Sequence, residues 1–151
     1  MSLRRLREKV EVRCPIADVT PRLQAYFSNR RDSDGKTRLQ LRVPLDGKGP
    51  LAGLALEHDA SVTAYLGRDD QNLNDVIRVS WEPSGGAFPS FSGTLVAWSD
   101  GDPARAFVEI DGTYRPPGGV SGETFDDAIG HTIAKHTAHA LLRDIASAIG
   151  S

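Results

Sequence analysis

The sequence predicts an α+β fold: a curved antiparallel sheet of about six to seven strands wrapped around one long C-terminal helix, with a short helical segment after the first strand. Three observations carry this. Runs with period-two alternation follow one another from residue 37 to residue 114, joined by turn-rich links without helices between them. From Thr124 the chain reads instead as rows of residues at i+4. Between the two regimes stands GTYRPPGGVSGETFDD, residues 112–127, whose Pro116 and Pro117 remove ladder donors and whose glycines let the chain turn back over the sheet.

The first strand signal is REKVEVRC, residues 7–14. Val10, Val12 and Cys14 fall on one face, Glu11 and Arg13 on the other, which is the pattern of a half-buried strand. Pro15 ends it. In ADVTPRLQAYF, residues 17–27, Val19, Leu23 and Phe27 recur at i+4 and predict a helix. Asp18 is its expected N-cap, which puts Pro21 in the first turn, where a missing N–H is tolerated. SNRRDSDGK is polar, carries Asp34-Gly35 and reads as a loop.

Strands then come in series. TRLQLRVPL sets Leu39, Leu41, Val43 and Leu45 against Arg38, Gln40 and Arg42. LAGLALEHDASVTAYLG reads as one bent strand or two, broken near His58-Asp59. DVIRVSWEP places Ile77, Val79 and Trp81 on one face, and FSGTLVAWS and ARAFVEIDGTY complete the meander. Gly93 and Gly112, inside strand patterns, are the expected places for bending.

The final helix has an apolar row, Phe125, Ile129, Ile133, Thr137, Leu141, Ile145 and Ile149, beside a row of small or apolar residues, Gly130, Ala134, Ala138, Leu142 and Ala146. A third row is polar: Glu123, Asp127, His131, Lys135, His139 and Arg143. The helix thus has a broad buried face and a wet one. Acids at its start and Arg143 towards its end suit the helix dipole, and Gly150 stops it.

Composition narrows the function. The 151 residues predict one domain, residues 1–151. A net charge of −2 gives no nucleic-acid footprint, and Arg4, Arg5 and Arg7, the one basic cluster, read as a solvated start of chain. No apolar run is long enough for a membrane span, no signal peptide is visible, and the lone Cys14 leaves no internal disulfide, so a cytoplasmic location is expected. No nucleophile elbow, phosphate loop or dinucleotide fingerprint is present, and no cofactor is expected. His131, His136 and His139 share the last helix without an i, i+4 pair, so no metal site is expected, and His131 and His139 read as surface residues. His136 lies beside the apolar stripe. It is either a boundary histidine bonded to backbone or water, or a hydrogen-bonding or acid/base group at a cavity rim. Tyr114 points inward with Val108 and Ile110, and its hydroxyl needs a partner, either a ligand or a loop backbone. Trp98 is expected on the outer face.

The order of elements, together with WEPSGGAFPSFSGTLVA, GTYRPPGG and FDDAIGHTIAKHTAHALLRDIA, resembles the START-like, helix-grip (SRPBCC) superfamily, which includes polyketide cyclases, lipid-transfer START domains and pollen-allergen-like proteins. The likeness is strongest with bacterial members and covers nearly the whole chain. Two helices usually follow the first strand in that group, whereas one is clear here, and SNRRDSDGK has room for a short second one at most. The resemblance implies an apolar cavity between sheet and long helix, and no shared catalytic set. The expected role is therefore binding of an apolar or lipid-like small molecule, with Leu41, Trp81, Leu95, Ile110, Tyr114, Ile133 and His136 lining the cavity. The alternatives are a metal-independent cyclase or dehydratase using His136 or Tyr114, and an interaction module seeded by Trp98.

Overall fold

The computed structural model describes residues 3–29, 37–44, 57–68, 75–83, 90–115 and 127–150. Strand β1 (Arg4–Val12) is followed by helix α1 (Ile16–Ser28), then β2 (Thr37–Pro44), β3 (Glu57–Arg68), β4 (Asp75–Pro83), β5 (Ser90–Trp98), β6 (Ala106–Arg115) and helix α2 (Asp127–Ile149). They form one open antiparallel sheet in the order β1-β6-β5-β4-β3-β2. Strands β2 to β6 are a meander, and β1 returns to pair with β6 along its whole length. The segments 30–36, 45–56 and 116–126, with the possible second helix, the strand start at Leu51 and Phe125, lie outside the described residues.

The sheet is two-faced because alternation and register agree. Across the inner face the register aligns Glu8, Ile110, Leu95 and Ile77 in one row, Leu6, Gly112, Gly93 and Val79 in the next, and Tyr114, Phe91, Trp81 and Val62 in a third. Apart from Glu8 and the two glycines, the side chains of these rows are buried. The outer face carries charge. Strand β1 begins at Arg4, earlier than alternation alone suggests, because the arginines pair with acids of β6. Arg5 grips Asp111 with two hydrogen bonds of 3.2 and 2.9 Å, and Arg7 lies 3.2 Å from Glu109. The basic cluster is therefore part of the sheet, with its side chains still exposed to solvent as expected.

The α2 rows take the predicted phase. Ile133, Thr137, Leu141, Ile145 and Ile149 are buried, with Ala134, Ala138 and Leu142 beside them, while His131, Lys135 and Arg143 are exposed. At about 1.5 Å per residue its 23 residues span about 35 Å. Among the described residues, α2 comes closest to β1 and β2, the two edge strands, and next to α1 and β6, whereas α1 lies over β3, β5 and β6. A helix crossing a flat sheet would approach the middle strands as closely as the edges. Close approach at the edges means that the sheet bows away from α2 at its centre.

Gly93 and Gly112 face each other across β5 and β6. A Cβ on Gly93 would stand 2.6 Å from the tip of the Phe91 ring, and one on Gly112 2.7 Å from it. Each Cβ would also press on a backbone carbonyl oxygen of the facing strand, so the pair admits both the close approach of β5 to β6 and the Phe91 ring beside them.

Three sequence expectations need correction at the helix ends. The N-cap of α1 is Pro15, with no side-chain cap bond, and Asp18 lies within the first turn, its N–H donating to Pro15 O at 2.9 Å. Pro21 consequently sits past the first turn, inside the helix, where the buried stripe Val19, Leu23, Tyr26 and Phe27 outweighs one lost backbone bond. The last turn of α2 contains no base, and Arg143 is too early to serve. Arg22 of α1 does so instead, donating to Ile149 O at 2.7 Å. Gly150 ends the helix by close packing: its O accepts from Arg13 N at 3.1 Å, and a Cβ there would stand 2.9 Å from Val12 Cβ.

Candidate functional site

The concave inner face holds an aromatic row at the end of the sheet where β4, β5 and β6 pair as Trp81–Phe91–Tyr114. Trp81 and Phe91 stack closely, with centroids 4.2 Å apart and planes 17° from parallel. Tyr114, 4 % exposed, completes the row. Its hydroxyl lies 3.2 Å from His131 Nδ1, and the two rings are 6.0 Å apart. Either group donates, depending on the histidine tautomer. His131 is itself exposed, so the pair links a buried hydroxyl to the surface of α2.

The expected lining residues distribute as follows. Trp81, Leu95, Ile110, Tyr114 and Ile133 are buried together in the core between sheet and helices. Leu41 takes its register position in β2 opposite Ala60, and its side chain lies outside the described residues. His136 is half-buried, and its Nδ1 donates to Thr132 O at 2.8 Å, a bond along its own helix. The polar group that meets Tyr114 is thus His131, which the sequence places on the wet face. Nothing in the chain between positions 114 and 131 signals that contact. Phe91 was legible, because it alternates with Gly93 and Leu95. Trp98 stacks on Phe107 at 4.5 Å on the outer face, with Lys9 Nζ 5.0 Å above its ring.

One charge faces inward on β1. Glu8 stands next to α2, 3.4 Å from His139 Nε2 and 3.9 Å from Lys135 Nζ. These contacts keep the carboxylate at the sheet edge, away from the aromatic row. A recess of about 320 Å³ lies elsewhere, at the joint of α1 with the end of α2, lined by Arg22, Ala25, Tyr26, Asn29, Ala148 and Ile149. It is an open surface feature, distinct from the space between sheet and α2 that the sequence points to. Among the described residues no helix is long and apolar enough to cross a membrane.

No protein-family model matches the chain, and no curated protein matches it in sequence. Solved structures do match its fold. The Zhui aromatase/cyclase from a Streptomyces species superposes with a TM-score of 0.59 at 13 % identity, over 97 % of this chain and 93 % of that one. A protein of Thermus thermophilus gives 0.55 at 16 % identity, over 97 % of both chains. A START superfamily protein from Mycobacterium smegmatis gives 0.47 at 18 % identity, over 97 % and 99 %. The near-complete coverage of the first two shows that the chain shares their fold, consistent with the helix-grip arrangement expected from the sequence.

Proposed function

We propose that the protein binds an apolar or amphipathic small molecule between the bowed centre of the sheet and α2. The observation that carries this is the approach of α2 to the sheet edges, with the central strands presenting Trp81, Phe91 and Leu95 towards the region it spans. An apolar lining with few polar groups is the usual make-up of a small-molecule site. The polar candidates are Tyr114 with His131, and His136 at the boundary. The START-like fold and the structural likeness to an aromatase/cyclase support a cavity-based role. Native mass spectrometry of gently purified protein tests it. The expected result is a bound organic compound released on unfolding, and a bare chain mass in every preparation counts against it.

A second reading, acid/base catalysis of the cyclase or dehydratase kind, is favoured by Tyr114 and His131. A hydroxyl and an imidazole in contact are two polar groups that can pass a proton, one reaching the interior and one reaching water. Any compound found bound would then be converted by the native protein and left unchanged by Tyr114→Phe and His131→Asn. Conversion by both variants at the native rate removes this reading and leaves binding intact.

A further inference from the structure

Trp81 is 1 % exposed, and its indole Nε1 is sealed from water with no acceptor among the described residues in reach. Buried donors are nearly always paired in native proteins, and one left unpaired is costly. Phenylalanine at this position would stack on Phe91 equally well and need no partner. What tryptophan adds is area and a donor. Among the described residues, the neighbours that register and stacking place beside Trp81 are uncharged. Val62 lies opposite Trp81 and Val79 precedes it on the same face, the Thr137 hydroxyl is bonded to Ile133 O, and the inward charge of Glu8 is held at the β1 edge. An anionic ligand group would find no cation there among the described residues, whereas a neutral oxygen would find a donor.

We propose that Trp81 Nε1 is the specificity donor of the pocket and receives a neutral oxygen acceptor, of the ketone, ester or ether class, from the bound ligand. This rests on the interior being a ligand site. Because the nitrogen is sealed in the closed state, neighbouring side chains part as the ligand seats, and the bound state gains a hydrogen bond that the closed state lacks. The donor thereby favours the ligand-bound arrangement over the empty one.

The test uses α-tetralone and tetralin, bicyclic compounds that differ by one carbonyl, measured by equilibrium dialysis against the full chain. A purely apolar pocket prefers tetralin, because burying an unpaired carbonyl is unfavourable. The expected result is the reverse: α-tetralone binds about tenfold tighter, and Trp81→Phe abolishes that preference. The chain has two tryptophans, so in a Trp98→Phe background α-tetralone should shift the emission of Trp81, the sole indole. A native preference for tetralin, a preference kept in Trp81→Phe, or unchanged emission on binding overturns the donor role while leaving the pocket standing. Binding of neither compound at millimolar concentration overturns the pocket reading itself. If Trp81→Phe does not fold, the comparison on the native chain still decides.

Discussion

At the scale of single residues, identity is set by what each side chain, or its absence, leaves room for. Gly112 is the sharpest case. A methyl group there would press on the Ser92 carbonyl oxygen and stand 2.7 Å from the tip of the Phe91 ring. Gly112→Ala should therefore cost about 1–3 kcal/mol, as overpacking usually does. In a chain of this size that is a fall in Tm of about 2–12 °C, to be read by calorimetry. On the outer face, Asp111 shows how charge contributes. The Arg5 guanidinium bonded to it holds its carboxyl below its ordinary value of 3.8, against the smaller opposing effect of partial burial. A depressed folded-state pKa contributes stability that is fully present above the unfolded value and is lost as pH falls through the folded one. Asp111→Asn should consequently destabilise the protein near neutral pH by about 1 kcal/mol or less, because the pair is largely exposed, and so lower Tm slightly. The gap between the two proteins should close as the pH is taken below about 3.8. A gap that stays constant down that limb would mean the pair adds nothing.

At the scale of elements, periodicity made the faces legible and left the ends and the contacts obscure. The i+4 rows of α2 and the alternation of β4, β5 and β6 reproduce the observed burial, since both follow from side-chain direction along one element. Cap positions and long-range partners depend on other elements. Pro15 rather than Asp18 caps α1, Arg22 reaches across to Ile149 O, and Tyr114 meets His131. The site was half legible for the same reason. Its apolar members follow from strand parity, while its polar pairing comes from how α2 sits on β6. The phase of α2 can be tested directly. Ile133 is fully buried, whereas Lys135 is 50 % exposed and 3.9 Å from Glu8. Ile133→Asp buries an unpaired carboxylate at several kcal/mol, comparable with the stability of a whole domain, and should yield unfolded or insoluble protein. Lys135→Asp replaces a loose contact with a repulsion to Glu8, costs about 1 kcal/mol or less, and should melt close to the native protein. Equal melting of the two would rotate the helix and remove Ile133 from the candidate site.

At the scale of the whole molecule, the described residues of β1, β3 to β6, α1 and α2 share one core. The sheet contributes one apolar face, and α2 runs to both of its edges while α1 covers part of its centre. Alternation implied that this face had to be covered, but it did not reveal that β1 would pair with β6 or that α2 would lie closest to the edges. Those facts are set by packing between segments far apart in sequence. They also make α2 indispensable to the sheet. It buries Ile133, Leu141, Leu142 and Ile145, whose partners include inner-face residues such as Leu6, Val108 and Ile110. Its end also ties back to β1 and α1 through Gly150 O with Arg13 N, Arg22 with Ile149 O, and the hydrogen bond from Tyr26 to Asp144. A chain ending at Gly119 would lose all of this at once. Each fully buried Leu or Ile of α2 is worth about 1.5–3 kcal/mol, so the four just named represent about 6–12 kcal/mol. That matches the 5–15 kcal/mol by which a native domain is stable at all. The strands would still be able to pair, but their inner face would meet water, and an exposed apolar sheet with two open edges is prone to associate. The shortened chain should therefore be recovered as aggregate, or as soluble chain without a cooperative thermal transition. A sharp, reversible unfolding transition in that chain, followed by circular dichroism, would show that the sheet holds its shape without α2.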